Sequence, residues 1–246
     1  MDWFERLTGF PETSYEDTRR RLAVQGSELV GLADGRRWGI GTPEVVSLGE
    51  LRARVRQAPP PAGRLRVRNV VGDVRRLHQQ PECAGALFQV ASQFNLLEMV
   101  SPEVTPEDGV SDYAFDATQG PACAIAAGAA TIYRNHFVPV GSDGETGQTP
   151  RRQIDCLAAL GAALARATGR PLESLWSMRN GYALCTEGGL KAIGAHLQDL
   201  DEAGRDALRQ QLHVGLHQDV EVTDAPGPDR PVVSQAFCAA LPVAYS

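Results

Sequence analysis

The hydrophobic pattern divides the chain into short stretches of different period. Ser14, followed three residues later by Asp17, opens a helical stretch at Thr18–Leu22, with Asp in place of the usual capping Glu. Glu28-Leu-Val-Gly-Leu and Arg37-Trp-Gly-Ile-Gly flank Asp34-Gly35, the signal of a β-hairpin. Ser47 caps a short helix predicted over Leu48–Val55. From Arg64 to Val71 the chain alternates, with Arg64, Arg66 and Arg68 on one side and Leu65, Val67 and Asn69 on the other. Period two predicts a strand, closed by the turn Val71-Gly72-Asp73-Val74. Gly85–Val90 reads as a buried strand that runs out into Ser92, Gln93 and Asn95.

Between Ser101 and Thr118 the pattern predicts a long acidic loop with a short extended segment. Gly120-Pro121 then opens a helix of small residues, with Pro121 suited to its first position. An amphipathic helix is predicted over Gln153–Thr168, ended by Gly169 and Pro171, and a short one over Leu172–Trp176. The Asn180-Gly181 turn leads into an extended Tyr182–Cys185. Helices over Gly189–Leu197 and Asp201–Leu212 follow, then strands over Val214–Val222 and Val232–Val243. This mixture predicts an α/β or α+β fold with a mixed sheet. No internal repeat divides residues 1–246, which read as one domain with residues 1–60 as a helical and hairpin extension packed on it.

Charge changes the picture locally. The net charge of −6 gives no global basic field for nucleic acid. Yet Arg52–Arg76 carries eight arginines against one acid, Asp73, whereas Glu98–Asp116 carries six acids and no base. The basic run is either a solvated face or a basic surface beside a phosphate site. Lys191 is the single lysine, which removes almost every candidate lysine nucleophile. Five cysteines, odd in number and without a CxxC pair, fit a reducing compartment, and a cytoplasmic location is expected. No apolar run approaches membrane-spanning length, so no membrane partner is expected.

The candidate chemistry lies between Gly85 and Arg134. Polar groups at a strand end, facing a glycine-opened helix start, suit a phosphate or nucleotide pocket. Asp73 reads either as an ordinary Asx turn or as a carboxylate meeting a donor such as an adenine amino group. Cys123, in the helix opening, is expected to have a lowered thiol pKa. His213 and His217 read as structural histidines, and no metal site is expected.

Three segments, Val71-Gly72-Asp73-Val74, Ala91–Asn95 and Gly120–Ile125, together resemble the macrodomain superfamily, whose members bind ADP-ribose. The chain is similar to a divergent bacterial macrodomain-like ADP-ribosyl hydrolase. That resemblance implies a three-layer α/β/α sandwich with a mixed sheet. It implies adenine at Asp73 and Val74, and the distal ribose at Ser92, Gln93 and Asn95. The diphosphate would lie at Thr118, Gln119, Gly120, Pro121, Ala122 and Cys123, with Leu241 and Tyr245 in the second phosphate loop. Asn95, Asp116 and Gln93 are the implied catalytic set, with Asp116 as base or ribose-orienting group. The implied activity is removal of ADP-ribose from a modified protein or nucleic acid, without a cofactor. The alternatives are a reader that binds ADP-ribose uncut, or an ADP-ribose 1″-phosphate phosphatase.

Overall fold

The computed structural model describes residues 1–59, 63–64, 66–84, 86–90, 92–116, 118–219 and 232–236. Side chains of residues 87–90, 119, 217–219 and 232–236 are outside that description. In chain order the elements are α1 (Trp3–Thr8), α2 (Tyr15–Arg21), β1 (Leu22–Gln25), β2 (Glu28–Gly31), β3 (Arg37–Gly39), β4 (Glu44–Ser47), α3 (Leu48–Gln57), α4 (Val74–Leu77) and β5 (Leu87–Val90). There follow α5 (Gln119–Ala127), α6 (Ala129–His136), α7 (Ala158–Thr168), α8 (Leu172–Leu175), β6 (Trp176–Arg179), β7 (Tyr182–Cys185), α9 (Glu187–Asp199), α10 (Glu202–Gln210), β8 (His213–Asp219) and β9 (Val232–Ala236). The fold is mixed α/β, with helices packed on small sheets. None of the described helices is long and apolar enough to cross a membrane.

Strands β1, β2 and β3 form an antiparallel sheet, and β6 and β7 a separate hairpin. The remaining sheet has the order β4-β8-β9-β5. Its β5–β9 pair is parallel, with Leu87 opposite Val232 and Val90 opposite Gln235. The carboxyl ends of β5 and β9 therefore lie at the same edge of the sheet.

Two apolar clusters hold these elements. The first joins Trp3, Phe4, Leu22, Leu29, Trp38 and Ile40 to Val110, Tyr113, Ile132, Tyr133, Val138 and Val140. Residues 1–40 thus supply half of a principal core rather than a peripheral layer. The second gathers Leu96, Cys156, Leu160, Leu164, Leu175, Trp176, Leu197 and Leu212.

Buried polar groups join the first cluster to the loop after residue 100. Glu12 accepts from the N–H groups of Val110 at 2.8 Å and Ser111 at 2.6 Å. Its other oxygen lies 3.2 Å from His136 Nε2. Tyr15 stacks on the His136 ring at 4.7 Å. Burial alone would raise the Glu12 pKa, but His136 and the two N–H donors outweigh it, and the carboxyl sits below its ordinary value.

Several caps form as predicted. Ser14 accepts from Asp17 N, Ser47 closes a full capping box with Glu50, and Asp201 accepts from Gly204 N. At the first cap Asp17 turns its carboxylate to Arg20 and Arg21 instead of back to Ser14.

Four predictions are corrected. Arg66–Asp73, within the predicted strand 64–71 and its turn, has no regular structure: these residues meet no partner strand, and Val67 and Val71 are 78% and 108% exposed. Alternation creates a strand only where one face is buried or a neighbour takes its hydrogen bonds. The acidic loop holds 3-10 turns at Pro106–Asp108 and Ser111–Phe115 instead of an extended segment, because Thr105 and Asp108 cap each other and Tyr113 is buried. Helix α7 begins at Ala158, not Gln153, since the groups of residues 153–157 bond outside any helix: Ile154 N donates to Gln148 Oε1 and Cys156 N to Phe94 O. Pro121 is the third helical residue, because Thr118 is the cap of α5.

Candidate functional site

The site is built on the turn that leaves β5. Gln93 N donates to Leu97 O at 3.0 Å and Leu96 N to Gln93 O at 2.9 Å. The Gln93 side chain closes the turn, accepting from Met99 N at 2.8 Å and donating to Met99 O. Leu96 sits at φ 64, a left-handed backbone rarely adopted by a branched apolar residue. Its strain of about 1–3 kcal/mol persists only where the surroundings over-determine it. Here they do, because the Leu96 side chain is buried and its carbonyl accepts from the buried Arg134 at 3.0 Å.

Asn95 is fully buried. Its Oδ1 accepts from Leu97 N at 3.1 Å, and its Nδ2 donates to Gln153 Oε1 at 2.9 Å. Gln153 donates onward to Asn180 Oδ1 at 2.9 Å, and Asn180 to Pro102 O at 2.6 Å. Gln148, equally buried, donates to Asn95 O at 2.8 Å and Arg134 O at 3.0 Å. The predicted ribose ligands Gln93 and Asn95 are therefore spent on fixing the turn. They act on the site through its shape, because their amides are already occupied.

The β6–β7 hairpin seals this network. Asn180 and Gly181 have φ 46 and 82, the two left-handed positions of a type I′ turn. A Cβ on Gly181 would lie 2.5 Å from Asn95 Oδ1. Gly181→Ala is therefore expected to lower unfolding stability by about 2–4 kcal/mol, combining backbone strain and overpacking. Urea denaturation checks this; a loss below about 0.5 kcal/mol, the range of neutral surface changes, would contradict the packing.

Beyond the turn stands a residue that the sequence pattern did not single out. Glu98 is 8% exposed, and its N–H donates to Tyr113 Oη at 3.1 Å. Its carboxylate faces Gly120 near the start of α5, where any Cβ would collide with it. Only glycine lets a carboxylate and a helix terminus approach this closely. The signal was present as an acid inside the apolar run Leu96-Leu97-Glu98-Met99.

Other predicted residues surround it. Asp116 is half-buried and accepts from Thr118 N at 2.7 Å, which positions the entry to α5. Ser92 is buried and donates to Gln93 O at 3.3 Å. Tyr182 donates to Met99 O at 2.6 Å. Its hydroxyl pKa is raised by burial, with the charges of Glu98 and Asp116 adding to the effect. Cys123 is corrected: burial pushes its thiol up to about 11, and the nearby charges of Glu98 and Asp73 act in the same direction. The lowering expected of a helix opening is overridden, and Cys123 is not a thiolate at neutral pH.

Asp73 thus lies near Cys123 of α5. It caps α4, accepting from Arg75 N at 2.9 Å and pairing with the Arg75 guanidinium at 2.8 Å. That pairing, with burial opposing it, holds the carboxyl below its ordinary value. Val74 is the first residue of α4. Asp73 lines a cleft of about 480 Å³ with Trp3, Arg6, Arg75, Arg76 and His78. A second cleft, of about 490 Å³, is lined by Gln153 and Asn180 of the Asn95 network together with Arg151 and Arg179.

Of the three predicted segments, Gly120–Ile125 lies within α5 and Asp73 lies near Cys123 of that helix, while Gln93 and Asn95 bond to the turn at residues 97–99 and to residues 148 and 153. Ala122 and Cys123 are buried within that helix. Gln119 lies in its first turn, while Leu241 and Tyr245 lie outside the described residues. Comparison with protein-family models, curated proteins and solved structures finds no match to this chain.

Proposed function

We propose that the protein is an ADP-ribosyl hydrolase, binding ADP-ribose around α5 and cleaving it from a modified protein or nucleic acid. In this reading the chain is a macrodomain-like three-layer α/β/α sandwich, with the ligand at the carboxyl ends of β5 and β9. The observation that carries it is the buried Glu98 carboxylate set against Gly120 near the start of α5.

Cleavage at the anomeric carbon of the distal ribose develops positive charge on the sugar. A fixed carboxylate in an enclosed site stabilises that charge. Water adds to the anomeric carbon and gives up a proton as the bond to the side chain or base breaks, and the leaving group gains one. Glu98 is assigned to the charge and the water, and Asp116 to orienting the ribose. Asn95 and Gln93 hold the turn that presents Glu98. Asp73 and Val74 take the adenine end, and Gly120–Cys123 the diphosphate. Placing the anionic diphosphate clear of Glu98 requires it to sit toward the exposed side of Thr118–Gly120.

A reader that binds ADP-ribose uncut is the second reading, favoured by the commitment of the Gln93 and Asn95 amides to the turn. One experiment separates the two. Calorimetric titration with ADP-ribose should show saturable binding, and incubation with an ADP-ribosylated substrate should release free ADP-ribose. Binding without release selects the reader, and a flat titration removes both.

A further inference from the structure

We propose that the exposed arginines between Arg64 and Arg76, together with Arg6, form a docking track for single-stranded nucleic acid, the macromolecule that carries the modification to the site. The direction of the track rests on the proposed ADP-ribose reading of the Asp73 cleft; the binding itself does not.

Arg52, Arg54, Arg152, Arg179 and Arg209 pair with carboxylates, and Arg134 is buried among its partners. Arg64, Arg66 and Arg68 are exposed and make no ion pair among the described residues, as is also true of Arg56, Arg151, Arg166 and Arg170; what distinguishes the three is that they cluster within one short stretch of chain. Arg6 and Arg76, at the rim of the Asp73 cleft, are likewise exposed and outside any ion pair described. The acid within this run, Asp73, is neutralised by Arg75. A net positive strip therefore stands on a protein of net charge −6.

The composition of the strip selects its partner. Arg64, Arg66 and Arg68 put three cationic side chains close together in the sequence. Between and beyond them Val67, Val70 and Val71 are 78%, 57% and 108% exposed. A single strand offers both a regular row of phosphates and unstacked base faces for such a surface. A duplex would hide the bases, and an acidic peptide would leave the valines in water. The strip runs directly into Gly72-Asp73, so a strand lying on it enters the cleft where the ligand is proposed to sit.

The test uses the full chain and a fluorescent, unmodified single-stranded DNA of about 15 nucleotides, long enough to span the site sizes of such surfaces. Anisotropy should show binding that weakens with salt. The triple variant Arg64→Ser, Arg66→Ser, Arg68→Ser should bind at least about tenfold more weakly, with the log–log salt slope smaller in magnitude by about 2, since three phosphate contacts are removed. These side chains have no described ion pair, so the fold should survive, and an unchanged melting curve verifies it. Arg20→Ala with Arg21→Ala, on the opposite charge pattern of α2, should bind as the parent does. The inference is overturned if the parent fails to bind at about 50 mM salt, if the triple variant binds equally well, or if duplex DNA or polyglutamate of equal charge competes as strongly as the single strand. Oligonucleotide binding without ADP-ribose release would leave this track standing and remove the hydrolase reading; the reverse result would remove the track alone.

Discussion

Glu98→Gln is expected to slow release of ADP-ribose by about 10²–10⁴-fold, the range for loss of a positioned acid–base group. Glutamine keeps the shape and the backbone N–H bond to Tyr113, so the packing against Gly120 should persist. What it removes is the negative charge opposite the developing cation. The effect should therefore fall on kcat, with affinity for free ADP-ribose nearly unchanged. Asp116→Asn is the informative comparison. Asparagine still accepts from Thr118 N, so the entry to α5 should hold, and the loss should be smaller than at Glu98. Full activity in Glu98→Gln, with activity abolished in Asp116→Asn, would move the chemistry to Asp116.

The second large effect is structural. Glu12→Ala should reduce unfolding stability by about 2–5 kcal/mol, since buried donors are left without their acceptor. The variant leaves Val110 N, Ser111 N and His136 Nε2 facing an empty space that Glu12 had filled. The pH dependence has a definite sign. The folded-state pKa of Glu12 is depressed, so its contribution is fully present above the ordinary carboxyl pKa of about 4.3. It is lost as pH falls from there through the folded value. The stability gap between parent and variant, measured by urea denaturation, should accordingly narrow on acidification. A gap that stays constant between neutral pH and about pH 3 would rule out this linkage.

Local rules made much of the fold legible. The Asp34-Gly35 and Asn180-Gly181 hairpins, the Ser47 and Asp201 caps and the stop at Gly169 all follow from neighbouring residues. The failures share one cause: the deciding partner is distant in sequence. Arg66–Val71 has the period of a strand but no strand beside it. Residues 153–157 have helical composition, yet Gln148, Phe94 and Asn95 claim their hydrogen-bonding groups first. The site divides in the same way. The region proposed for it, between the end of β5 and the start of α5, is the one that the polar strand end and Gly120 drew attention to. The roles were not legible, because only folding reveals that the Gln93 and Asn95 amides are taken up by hydrogen bonds that fix the turn and that Glu98 is the acid facing Gly120.

The first apolar cluster has a consequence for synthesis. Trp3, Phe4, Leu22, Leu29, Trp38 and Ile40 are made first, but the residues that bury them begin at Val110 and end at Val140. At translation rates of about 5–20 residues per second, roughly 100 residues of chain take about 5–20 s to follow. During that interval the nascent chain carries two tryptophans and several aliphatic side chains with no surface to cover them. The native state hides this liability, because all of these side chains are buried in it. Slowed elongation between Ile40 and Val110 should raise aggregation more than the same slowing placed after Val140.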